Sequence, residues 1–195
     1  MNILWTAFEI LINIFQGFAF CFYTYKYLNF GGIKDFLHNK GTYYSIALAG
    51  LITLFNYVTI FEHFWSLIYA VFLFSFATHR LKGLFMEKVF SAIIPLLLMI
   101  ISSAFVSNFM TILFKIPLEA ILTQVCIERF ITIIITQLLV IYTFIVSLKI
   151  LKKDRQENML TFREWFLIIS VFIISIIISA FLNFISIDDS IKNKN

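Results

Sequence analysis

The sequence predicts an all-α fold, a polytopic integral membrane bundle of six transmembrane helices, and three observations carry that reading. Hydrophobic residues make up 61% of the 195-residue chain, its mean hydropathy is +0.95, and 13% of its residues are charged, where a soluble domain carries charge on about 25%. The apolar residues gather into six long stretches, with short charged turns between them. Residues 1–187 form a single transmembrane domain in this reading, and 188–195 form a short polar tail.

The stretches fall at 3–28, 43–61, 63–78, 90–114, 130–150 and 165–185. A helix rising 1.5 Å per residue crosses a hydrocarbon core of roughly 30 Å with such a stretch. Lipid offers the backbone no hydrogen-bond partner, so a helix, which satisfies its own amides, is favoured over alternating strands. The first stretch has no basic start and no small-residue cleavage site before Lys26, so it is expected to be retained and not removed as a signal peptide. Asn29 to Gly32 supply residues that tolerate a left-handed cap after it. Pro95 falls one or two turns inside the fourth span, where it either kinks the helix or, near a helix start, does no harm. Pro117 marks the fourth turn, and Thr161-Phe162-Arg163-Glu164 has the spacing of a capping box before the sixth span.

Basic residues accumulate in short cytoplasmic loops. Loops one, three and five hold eleven: Lys26, Lys34, Lys40, Arg80, Lys82, Lys88, Lys149, Lys152, Lys153, Arg155 and Arg163. The other side holds four, Lys115, Arg129, Lys192 and Lys194. The expected protein is therefore a multi-pass component of the plasma membrane with its N-terminus, and its C-terminal tail, outside. The formal charge of +4 suits anionic lipid headgroups better than nucleic acid, which would need a soluble basic surface.

Several chemistries find no footing. Six glycines form no G-x-G and no Gly-Lys-Ser or Gly-Lys-Thr, so nothing cradles phosphates. His38, His63 and His79 lie on different turns without a carboxylate or cysteine at ligand spacing, so no metal and no cofactor is expected. Cys21 and Cys126 lie at different depths, which disfavours a disulfide and gives little support to a membrane cysteine peptidase.

An ionisable group at the centre of a span is costly by about 2.5 to 3.5 kcal/mol and is a functional candidate by default. On the first span Glu9, Asn13 and Gln16 recur at i, i+4 and i+7 and share one helical face. On the fifth, Arg129, Thr132, Thr136, Thr143 and Ser147 share another, and a Glu9–Arg129 ion pair would offset much of the desolvation of each. The hydroxyl stripes Ser103, Ser107, Thr111 (with Asn108) and Ser175, Ser179, Asn183 read first as helix packing. On the outer side lie Trp5, Glu62-His63-Phe64-Trp65 and the turn from Pro117 to Glu128. Aromatic residues at that level usually anchor helices in the interface. An aromatic, acidic vestibule above polar stripes would also suit a small amphipathic ligand. The candidate ligand-binding residues are thus Trp5, Glu9, Asn13, Gln16, Glu62, His63, Glu119 and Arg129.

Motifs spread along the chain also carry a resemblance. They are Met1-Asn2-Ile3-Leu4-Trp5 through Phe8-Glu9-Ile10 and Asn13, then Phe55-Asn56-Tyr57, Phe61-Glu62, Lys82-Gly83 with Lys88 and Phe90, Glu128-Arg129-Phe130, the basic end from Leu148 to Lys153, and Glu164-Trp165. Together they resemble the N-terminal sensor region of peptide-sensing histidine kinases of low-GC Gram-positive bacteria, the accessory gene regulator type with a GHKL ATP-binding domain. The resemblance implies a receptor for an extracellular, often cyclic, peptide and a homodimer. It also implies that these residues, which hold no phosphoacceptor helix and no ATP-binding boxes, are not themselves an enzyme, and are an excised or truncated sensor or a stand-alone relative. Two other readings stay open. The substrate-binding component of a vitamin-type transporter has this size and span count, but usually keeps its N-terminus inside and carries small residues on helix one where Phe8, Ile12, Phe15 and Phe18 stand here. The membrane peptidase that processes quorum peptides needs a His and a Cys closely spaced on one membrane face, and no Cys follows His79.

Overall fold

A computed structural model describes residues 3–29, 31–57, 65–118, 121 and 124–154. All regular structure among them is helical: α1 (Ile3–Asn29), α2 (Ile33–His38), α3 (Gly41–Tyr57), α4 (Trp65–Arg80), α5 (Phe85–Phe114) and α6 (Ile127–Asp154). Three segments, Ile3–Asn29, Phe85–Phe114 and Ile127–Ile150, are long and apolar enough to cross a membrane, which marks the chain as a membrane protein. Their large apolar side chains bear this out, because many face outward: Leu11 and Ile14 on α1, Phe105 and Phe109 on α5, Leu138 and Ile145 on α6. Water would penalise such faces, whereas lipid does not.

The second and third expected spans correspond to α3 and α4, with 17 and 16 residues. The sixth span, the Thr161 capping box and the tail lie outside the described residues. Two boundaries differ from expectation. A short helix, α2, occupies the first loop, and α5 starts at Phe85, so that Lys88 sits in its first turns and Pro95 lies about three turns in.

Several helix ends have a local cause. Asp35 Oδ2 accepts the Gly32 N–H at 2.9 Å and Glu87 Oε2 accepts the Leu84 N–H at 3.0 Å, each carboxylate satisfying an amide at a helix start. Gly31 and Gly32 do not supply the left-handed cap expected after α1, since Gly83 is the glycine with positive φ among the described residues. Lys26 Nζ donates to the Gly31 carbonyl at 2.9 Å instead. The left-handed positions fall at Lys40 (φ 59°), just before α3, and Lys115 (φ 55°), just after α5. Beyond Lys115, Ile116 precedes Pro117, which disfavours further helix.

The chain divides into two compact units, Met1–Leu98 with Phe144–Leu148, and Met99–Thr143 with Lys149–Asn195. In the first, α1 packs chiefly on α3 and touches α4. The antiparallel crossing of α1 and α3 is close at Gly17. A Cβ there would lie 2.5 Å from the Ser45 carbonyl oxygen and 2.9 Å from the Ala49 nitrogen. Phe36 anchors α2 against the rings of Phe18, Phe22 and Tyr25. In the second unit, Val106, Met110 and Ile121 form a core against which Phe114, Ile116, Ile131 and Leu139 pack.

Pro95 is fully buried and does not interrupt α5. Lacking an N–H, it leaves the carbonyl four residues earlier, that of Ser91, without its helical donor. Thr24 Oγ1 on α1 donates to that carbonyl at 3.0 Å, and both residues are completely buried. In lipid such a freed group needs a neighbour to satisfy it.

Candidate functional site

The polar stripe on α1 has a partner within its own helix at Glu9 and partners on α3 at Asn13. Near the N-terminal end of α1, Trp5 Nε1 donates to Glu9 Oε1 at 2.7 Å, one turn along the same helix. Trp5 is buried and Glu9 is half-buried, so the carboxylate is reached by an indole donor at the edge of the unit.

One turn deeper, Asn13 is buried to 4% exposure. Its Nδ2 donates to Thr53 Oγ1 at 3.0 Å, and its Oδ1 accepts from Asn56 Nδ2 at 3.3 Å. Thr53 in turn donates to its own helix at the Ala49 carbonyl, 2.8 Å away, so its hydroxyl oxygen is aimed at Asn13 as an acceptor. The close approach at Gly17, one further turn in, brings the helices near enough for these short side chains to meet. A residue with a bulky side chain at position 17 would hold the amides apart.

Of the eight expected site residues, Trp5, Glu9 and Asn13 are joined to one another or to α3 by these contacts. Gln16 is half-buried on the same helix. Arg129 is half-buried near the start of α6, in the second unit. Glu62, His63 and Glu119 lie outside the described residues.

The structure adds residues that the sequence reading passed over. Thr53 and Asn56 complete the hydrogen bonds of Asn13; their spacing of i and i+3 on the second stretch was the available signal. Tyr23, 1% exposed, pairs its hydroxyl with Ser147 Oγ at 2.6 Å and packs its ring on Phe144, at a centroid distance of 4.7 Å. Gln137 is buried in the middle of α6, beside the Thr132 and Thr136 that the sequence pointed to. Among the described residues, several polar groups of the other stripes turn back on their own helices: the Thr132 hydroxyl to the Glu128 carbonyl, Thr136 to Thr132, Thr111 to Ser107, and the Asn108 amide to Ala104. Such side chains line packed surfaces without offering a free donor. Both thiols, Cys21 and Cys126, are free.

Chemically the α1–α3 array is a set of neutral amide and hydroxyl groups below an indole and a carboxylate. These groups satisfy one another within α1 and between α1 and α3. No protein-family model, no characterised protein and no solved structure matches the chain.

Proposed function

We propose that the chain is the membrane input module of a signalling receptor for an extracellular peptide-like ligand, non-catalytic in itself, resembling the sensor region of accessory-gene-regulator-type histidine kinases. The observation that carries this reading is the placing of polar groups on α1. Trp5, Glu9 and Asn13 are gathered in its first turns and fixed against one another or α3, while the basic residues Lys26, Lys34 and Lys40 all lie at or beyond its other end. The charge rule puts the basic end in the cytoplasm and the polar array outside.

In this reading six spans cross the plasma membrane with both termini outside. The residues proposed to contact the ligand are Trp5, Glu9, Asn13 and Gln16, together with Glu62, His63, Glu119 and Arg129. The receptor works as a homodimer. Acidic and aromatic groups would take the cationic and apolar parts of a peptide.

Topology and binding test it together. Single cysteines at Asp35 and Asp154, and separately at Glu62 and Glu119, in a background lacking Cys21 and Cys126, are exposed to a membrane-impermeant thiol reagent in intact cells. Labelling at Glu62 and Glu119 alone is expected. Labelling at Asp154 would invert the orientation and favour the vitamin-type transporter component instead. With a labelled panel of short cyclic peptides, Ala at Glu62, His63 and Arg129 should weaken binding while membrane insertion is retained. Unchanged affinity in all three variants would refute the surface.

A further inference from the structure

One end of the first unit presents a basic face studded with apolar tips. The connection between α1 and α3 and the connection between α4 and α5 meet there, because a Cβ on Gly83 would touch Leu28 Cδ2 at 3.1 Å. Lys34, Lys40, Arg80 and Lys82 are exposed on these connections, and Lys26 and Lys88 are half-buried beside them. The carboxylates among them, Asp35 and Glu87, each accept a backbone N–H at a helix start. The face is therefore strongly cationic in balance.

Its apolar groups are large and outward. Ile33 and Leu37 on α2 are 53% and 49% exposed, and Leu84, Phe85 and Met86 at the head of α5 are 73%, 69% and 59% exposed. Ile33 and Leu37, four apart, share one side of α2, while Phe36 is wholly buried under an aromatic cluster and fixes the orientation of the helix. Exposed apolar side chains beside cations, at the ends of helices apolar enough to cross a bilayer, match the level where acyl chains give way to phosphates.

We propose that this face is a docking surface for anionic phospholipid headgroups, with α2 lying in the membrane interface, Ile33 and Leu37 among the acyl chains, and Lys34, Lys40, Arg80 and Lys82 on the phosphates. Charge complementarity commits it to anionic lipid: several cations lie within one small face, and a neutral bilayer would leave them without counter-charge. The inference does not depend on the sensor reading, nor on which side of the membrane the face occupies.

The test uses the full chain reconstituted in phosphatidylcholine vesicles containing spin-labelled phosphatidylglycerol or spin-labelled phosphatidylcholine. The ratio of their association constants with the protein is the readout. Each cation removed by Lys34→Gln, Lys40→Gln, Arg80→Gln or Lys82→Gln should lower the preference for phosphatidylglycerol by up to about fivefold at low ionic strength, and the combined variant by more. Lys115→Gln, in the other unit, should leave it unchanged. Should the combined variant not fold, the four single variants carry the test. Selectivity that survives in the single variants, or falls equally with Lys115→Gln, would overturn the proposal; survival would leave the face to a soluble protein partner. Ile33→Gln with Leu37→Gln should weaken association of both lipids alike, separating the apolar contribution from the charged one.

Discussion

Pro95 and Thr24 form a pair whose energies should be coupled, and the coupling is measurable. Replacing Thr24 with Val keeps the shape and removes the donor that reaches the Ser91 carbonyl at 3.0 Å. Ser91 cannot help itself, since its own hydroxyl donates to the Lys88 carbonyl at 2.8 Å. A buried acceptor left unpaired costs about 1–3 kcal/mol, whereas side-chain hydrogen bonds in membranes are worth about 0.6 kcal/mol on average and about 1.7 at most. Because proline denies this carbonyl its helical alternative, the upper part of the membrane range applies, and Thr24→Val should destabilise by about 1–2 kcal/mol. Pro95→Ala restores an N–H to the helix and satisfies Ser91 from within. In that background Thr24→Val should cost less than about 0.5 kcal/mol, whatever volume the proline ring leaves behind. Reversible unfolding in mixed micelles, with stability extrapolated over a denaturing-detergent series, gives all four corners of the cycle. An equal loss from Thr24→Val in both backgrounds would refute the account of why the buried proline is tolerated.

Two further outcomes follow from the α1–α3 pair. Gly17→Ala forces the Ser45 carbonyl to retreat from 2.5 Å to an ordinary contact of 3.4 Å, so it should destabilise by about 1–3 kcal/mol as overpacking does. Gly50→Ala, whose Cβ would meet nothing within 4 Å, should be neutral or stabilising by up to about 1 kcal/mol from helix propensity. The same unfolding assay compares them, and equal effects would mean that the helices are not in contact at Gly17. Asn13→Leu removes bonds to both Thr53 and Asn56 and should cost about 1–2 kcal/mol. In a cycle with Asn56→Leu, a coupling below about 0.3 kcal/mol would show that the two amides do not interact.

Three of the expected spans, those that became α1, α5 and α6, were legible because lipid imposes a length and an apolarity that composition records directly. The 3–28 stretch became α1 at Ile3–Asn29, and the 90–114 stretch ends at Phe114 as α5 does. The relative placement of helices was not legible in the same way. In water an apolar stripe names the buried face, but in lipid Leu11 and Ile14 can point outward as readily as Phe20 points inward, so hydrophobic periodicity loses its power to orient. What orients α1 is a small set of exceptions to the apolar rule: Gly17, which admits the Ser45 backbone; Asn13, which finds Thr53; Thr24, which answers a proline on another helix; and Tyr23, which finds Ser147. The Glu9-Asn13-Gln16 pattern was visible because spacing within one helix can be read from sequence, and Asn13 is its member that hydrogen-bonds to α3. Its partners Thr53 and Asn56 could not be read so, since pairing across forty positions depends on the crossing at Gly17, and a lone glycine in a Phe-rich span carries no label of what it faces. Pro95 shows the same limit in reverse. The sequence revealed a helix with a missing donor, and only the fold revealed that Thr24, 71 positions earlier, supplies it.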